Sequence, residues 1–204
     1  MIDQFDRSNE TLRVSRLVSL SRAELDAILV GRSIALEDFD EVKAAVIGVG
    51  TIVSARDAIK QTFARTEILP QRYNTSSFVA LYTAVARETC VAEITYHLGS
   101  EIQQSGPRYF QFLEVTFTGN ILNLVGRQND HPDLVSATSS GYPFCQQIAT
   151  DARDAGFDAL SAPSARHDVG VCVPIFTQES ITNPLVSGNV RFNYNGTAID
   201  HAIF

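Results

Sequence analysis

The chain has 204 residues, a formal net charge of -7 and a sequence pI of about 5.0, so the field around it disfavours a polyphosphate backbone, and nucleic acid is not an expected partner. Hydrophobic residues make up 45% and charged residues 19%, a balance that excludes disorder and suits one folded unit with a continuous core. No apolar run approaches the roughly 18 residues of a membrane span, and the start of the chain (Asp3, Asp6, Arg7, Glu10) lacks a signal-peptide core, so the expected address is the cytoplasm.

Ser21-Arg22-Ala23-Glu24 is a capping-box pattern that predicts a short helix running to about Val30. Residues 37–47 fit a second helix, while Ala44 to Val53 also reads as an apolar strand broken by glycines, and the pattern leaves both open. Residues 1–62 are accordingly read as a mainly helical part of the same domain. Phe78 to Tyr82 predicts a strand after the turn composition Asn74-Thr75-Ser76-Ser77, and Val91, Ile94, Thr95 and Leu98 set a helix over 88–98. Tyr109 to Phe117 and Ile121 to Val125 read as two strands joined by a tight turn at Gly119-Asn120.

Phe144 to Ala155 is a helix stopped by Gly156. Apolar runs at Ala159-Leu160, Val169 to Phe176 and Val190 to Tyr194 follow, the last closed by Asn195-Gly196. Strands that are not separated by regular helices favour an α+β domain over a doubly wound parallel sheet. Cys90, Cys145 and Cys172 are irregularly spaced and read as buried thiols, neither a disulfide framework nor a metal pattern.

The chemistry-bearing residues fall in separate blocks. These are Arg72-Tyr73-Asn74, Leu81-Tyr82-Thr83-Ala84, Glu88-Thr89-Cys90-Val91-Ala92-Glu93 continuing to His97, and Ala162-Pro163-Ser164-Ala165-Arg166-His167; Val171 to Phe176 and Phe192 to Gly196 follow. In this order they resemble the RES-domain family, named for its Arg, Glu and Ser. The resemblance covers residues 63–200, with departures at Thr75-Ser76-Ser77, Cys90 and Val169. It implies a single α+β domain with a split mixed sheet flanked by helices, similar to mono-ADP-ribosyltransferases, with residues 63–204 as the catalytic core.

The resemblance also implies a toxin of a toxin-antitoxin pair that consumes NAD as substrate, with no metal, and is restrained by a small Xre-like antitoxin covering the cleft. Cleavage of the nicotinamide-ribose bond builds positive charge on the ribose, which a carboxylate stabilises; Glu93 is the candidate. Arg72 suits the pyrophosphate, Tyr82 can stack on the nicotinamide or ribose, and Ser164 can bind substrate or orient Arg72. An upstream arginine, one of Arg13, Arg16, Arg56 and Arg65, is a further candidate, and Arg65, Arg166 and His167 can add phosphate contacts or ion pairs. His97 shares a helix face with Glu93, but without a third ligand nearby it reads as structural.

Transfer of ADP-ribose to water or phosphate is the first reading. Transfer to a side chain of a target protein uses the same site, and a silent NAD-binding module keeps the fold without turnover. The rival segment Val46-Ile47-Gly48-Val49-Gly50-Thr51-Ile52-Val53 has two glycines of a dinucleotide fingerprint, but Val53 stands where the third small residue belongs.

Overall fold

The computed structural model describes residues 2–20, 54–101, 106–194 and 198–203. Its core is a seven-stranded mixed sheet organised by one long strand, β3 (Gly106–Asn123). One edge of β3 pairs antiparallel with β1 (Asp6–Leu20) along the whole length of that strand. The other edge is divided. Residues 106–117 pair antiparallel with β6 (Ile181–Tyr194), and Ile121–Asn123 pair parallel with β4 (Ala159–Pro163).

From β4 the order runs to β5 (Val171–Ile175) and β2 (Leu81–Ala84), both antiparallel steps, and β2 returns to β1 through the single pair Ser15 and Ala84. Five strands thus close on themselves, while β6 and the short β7 (Ile199–Ile203) extend the sheet beyond β3. This is the split α+β sheet expected from the sequence.

Two expectations need correction. The described part of residues 1–62 contains the long strand β1, so a mainly helical reading does not hold there; the predicted helices over 21–30 and 37–47, the glycine-rich segment 46–53 and the Asn195-Gly196 turn lie outside the described residues. Nor is Gly119-Asn120 a turn, because β3 passes straight through it. The glycine marks a close approach instead, at the point where β3 exchanges β6 for β4. Asp158 fills that gap: its Oδ2 accepts the Asn120 N–H at 2.8 Å, its Oδ1 accepts the Thr177 hydroxyl at 3.1 Å, and its own N–H donates to the Asn120 carbonyl at 2.9 Å. A Cβ on residue 119 would stand 2.5 Å from Asp158 Oδ2.

Alternation along β3 distributes three helices over two faces. Leu113, Val115 and Phe117 pack with Ile59 and Ala55 of α1 (Ala55–Phe63), whose start is capped by Ser54 Oγ accepting the Asp57 N–H at 3.4 Å. Phe110 and Phe112, of opposite parity, meet Cys90 and Val91 of α2 (Arg87–Glu101). Further along the same parity, Leu122 meets Cys145, Ile148, Ala149 and Ala152 of α3 (Tyr142–Asp154), joined by Leu124 just past the strand end. Gly156 follows α3 at φ +83°, with Gly156 N–H to Arg153 O and Phe157 N–H to Ala152 O, both at 3.0 Å, as the sequence predicts for a left-handed stop. No helix among the described residues is long and apolar enough to cross a membrane.

Glu114 lies on the α2 side of β3 and is only 6% exposed. Arg87, at the start of α2, donates through Nε at 3.1 Å and through Nη2 to Glu114 Oε1, and Arg13 of β1 pairs with Oε2. The Arg87 guanidinium also lies over the Phe112 ring and donates to the Ser187 carbonyl at 3.0 Å. Burial pushes the Glu114 carboxyl up, but the hydrogen bonds from Arg87 and Arg13 outweigh it and hold the group below its ordinary 4.5.

Two consequences can be measured. Gly119→Ala must dislodge Asp158 from its bonds and should cost about 1–3 kcal/mol in chemical denaturation, whereas an unchanged midpoint would mean that the strand passes Asp158 without needing the contact. Glu114 has a depressed native pKa, so its contribution is full above the unfolded value and is lost as pH falls through the native one. Glu114→Gln should therefore destabilise by about 2 kcal/mol at neutral pH, and melting curves of the two proteins should converge in acid below about pH 4.5; a constant gap across that range refutes the assignment.

Candidate active site

A cleft of about 220 Å³ opens between α2, the ends of β1 and β2, the turn after β4 and the first residue of α3. It is lined by Arg16, Arg72, Tyr82, Glu93, His97, Tyr142, Arg166 and Cys172, among others. The structure therefore brings Arg72, Tyr82 and Glu93 together from three sequence blocks, and Ser164 reaches the same place by bonding to Glu93.

Glu93 projects from α2, one turn after the buried Cys90. Ser164 Oγ donates to Glu93 Oε1 at 2.6 Å and accepts the backbone N–H groups of Arg166 and His167, each at 3.1 Å. All the bonding capacity of this hydroxyl is thus directed: two amides supply protons, so its own proton points at the carboxylate. Cys172 Sγ is a longer-range donor to the same oxygen at 3.7 Å. Burial, then the Glu93 charge, push the Cys172 thiol well up, so it stays protonated and donates. Burial likewise pushes Cys90 up to about 12.

The Ser164 turn reaches α2 through a glycine. Ser164 N–H donates to Gly170 O at 2.8 Å and Gly170 N–H to His167 O at 2.7 Å, while a Cβ on residue 170 would stand 2.7 Å from Thr89 Oγ1. Thr89 in turn bonds His167 Nδ1 at 2.9 Å. Val169, the departure from the family pattern, is 84% exposed, so the residue that must be glycine for this contact is Gly170.

Tyr82 is anchored at its far end. Its hydroxyl accepts the Tyr73 N–H at 2.7 Å and donates to Asn74 Oδ1 at 3.1 Å, and burial pushes the phenol well above its ordinary value. The Arg-Tyr-Asn block and the strand tyrosine are therefore one structural unit. Arg72 borders the cleft, but its Nη1 donates to the carbonyls of Asp133 and Leu134 at 3.2 and 3.3 Å and its Nη2 to Ser136 O at 2.7 Å, with the guanidinium over the Tyr142 ring. These bonds hold the 133–136 backbone as a wall of the cleft, and none of them reaches Ser164.

Of the four upstream arginines, Arg16 is the one that lines the cleft. It stands where β1 diverges from β2, and its Nη1 donates to Tyr82 O at 3.2 Å, in place of the next strand-to-strand bond. Burial, then repulsion from Arg65, lower its pKa to about 10. Arg65 lines a larger space of about 690 Å³ that shares Arg16, Gln71 and Tyr82 with the cleft. Arg13 is committed to Glu114, and Arg56 is exposed on α1.

His97 lines the cleft with its ring 5.6 Å from that of Tyr96, and among the described residues no group of three or more His, Cys, Asp and Glu is placed to hold a metal. Sequence reasoning did not single out Cys172 as a neighbour of Glu93, and no local pattern announces it. It is visible only once β5 is seated between β2 and β4.

The crystal structure of the M. tuberculosis MbcT-MbcA toxin-antitoxin complex resembles this chain with a TM-score of 0.48 at 16% identity, covering 91% of this chain and 89% of that one. No curated protein matches the sequence. The RES domain model matches residues 53–195, from α1 through Glu93 and Ser164 to the end of β6 but without Arg16, and the chain belongs to the RES-domain family.

Proposed function

We propose that the protein is the toxin of a toxin-antitoxin pair and that it destroys NAD by cleaving the bond between nicotinamide and ribose. The observation that carries this reading is the Ser164 hydroxyl held on Glu93 Oε1 at 2.6 Å in a cleft walled by arginines. As the glycosidic C–N bond breaks, its electron pair leaves with nicotinamide and the ribose carbon becomes electron-poor. A carboxylate fixed beside it lowers the energy of that charge, and one already oriented by a hydrogen bond does so without reorganising. Water or inorganic phosphate then bonds to the ribose carbon through oxygen. Water loses a proton in that step and gives ADP-ribose, and phosphate gives the 1''-phosphate ester.

Within this reading Arg16 faces the pyrophosphate. A half-buried guanidinium with a like-charged neighbour gains most from an anion placed beside it. Arg72 holds the 133–136 backbone as a wall, and the Tyr82 ring, fixed at its hydroxyl, offers a flat surface to the nicotinamide or ribose. The family resemblance supports a partner protein of the Xre-like helical type that covers the cleft.

The decisive assay incubates the purified chain, free of any partner, with NAD in buffers with and without phosphate and separates nicotinamide, ADP-ribose and its 1''-phosphate by chromatography. Nicotinamide release in either buffer is expected, with Glu93→Gln slower by about 10²–10³-fold. Full activity in that variant removes Glu93 from the mechanism, and nicotinamide that appears only with an ADP-ribose adduct on an added protein identifies a transferase instead. Arg16→Gln should raise KM about tenfold or more while leaving Glu93 in place; an unchanged KM contradicts the pyrophosphate contact.

A further inference from the structure

Arg166 and Tyr96 meet over the backbone of a third segment. The Arg166 guanidinium carbon lies 3.3 Å from the centroid of the Tyr96 ring. Arg166 Nη2 and the Tyr96 hydroxyl both donate to the Ala137 carbonyl, each at 2.9 Å. Arg166 stands two residues beyond Ser164, and Tyr96 stands three residues beyond Glu93 on α2, on the adjacent turn of the same helix. The contact thus joins the turn that carries Ser164 to the helix that carries Glu93, close to their own hydrogen bond.

The third segment is itself anchored. Arg72 holds the carbonyls of Asp133, Leu134 and Ser136, and Gly141 packs so tightly that a Cβ there would stand 2.5 Å from Asp133 O. Arginine suits the junction because a planar guanidinium can stack on a ring and donate in its own plane at once, which an ammonium cannot do.

We propose that Arg166 and Tyr96 are positioning residues that lock the Ser164 turn, the Glu93 helix and the 133–137 segment into one unit, and so hold the carboxylate in register with the reacting ribose. The inference rests on the NAD-cleaving reading for its kinetic arm. A carboxylate displaced by about 1 Å can lose on the order of 10²-fold in rate, so loosening one of its supports shows in kcat.

The test combines NAD-cleavage kinetics with backbone hydrogen exchange on the full chain. Arg166→Lys keeps the charge but loses the stack and fork, and should lower kcat about tenfold with KM within about twofold. Tyr96→Leu should do the same, Tyr96→Phe should lose less, and the double variant should be no slower than the slower single, because both remove one unit. Exchange of the amides in 131–141 should quicken in Arg166→Lys and in Tyr96→Leu. A raised KM with unchanged kcat in Arg166→Lys would make Arg166 a substrate contact and overturn the proposal, as would losses that multiply in the double variant or exchange that stays at the wild-type rate. If the wild-type chain releases no nicotinamide, the NAD reading fails by itself, and the exchange measurement still decides whether the three segments are locked together.

Discussion

One hydroxyl proton decides the geometry of the site. Ser164 Oγ accepts from two successive backbone amides and donates to Glu93 Oε1, so the direction of its proton follows from the shape of the turn. That shape depends on Pro163 closing β4, on the Gly170 carbonyl that takes the Ser164 amide, and on the absence of a side chain at Gly170, which lets the turn press against Thr89 of α2. The carboxylate and its donor therefore belong to different layers, a helix and the end of the interior strand β4, brought together by close packing. A charge-stabilising group held this way needs little reorganisation at the moment of reaction.

The sheet explains why a cleft exists at this place. A strand has two edges, and β1 gives one of them entirely to β3 and touches β2 only through Ser15 and Ala84. Beyond that pair the strands part, and a carbonyl of β2 would lose its partner if Arg16 did not donate to Tyr82 O. The cost is an arginine held in a poorly solvated position near Arg65, with a lowered pKa. Such a cost is common where a group is kept for binding rather than for stability. It also suits the anionic substrate proposed for a chain of net charge -7, since Arg16, Arg72 and Arg166 all line the cleft and set a local field there.

What could be read from the sequence was local. The helix α2, the glycine stop of α3 and the strands β4 and β5 come from patterns a few residues long, and the blocks around Arg72, Tyr82, Glu93 and Ser164 are recognisable because each is a short unbroken stretch of chain. The misreadings share a physical cause, in that they depend on partners far along the chain. Gly119 carries the same local signal whether a turn or an approaching Asp158 requires it, and only the pairing of β3 with β4 distinguishes the two. The polar first half of β1 has no apolar alternation to announce a strand, and its pairing with β3 supplies the order instead. The four upstream arginines are alike in the sequence, and only the β1 register sets Arg16 apart at the divergence beside the cleft; the sequence is equally silent about the three carbonyls that Arg72 holds.

That engagement bears on how such an enzyme would be controlled. The hydrogen bond between Ser164 and Glu93, the anchored Tyr82 hydroxyl and the wall held by Arg72 and Arg166 tie the cleft to the packed helix and sheet behind it. Switching such a site off from within would mean breaking several of these bonds at once. Restraint is then most directly achieved by denying access, and a partner that fills or covers the mouth of the cleft does so without having to distort a packed interior. On the NAD reading, the same rigidity that makes the site ready for the reaction makes an external cover the natural form of regulation.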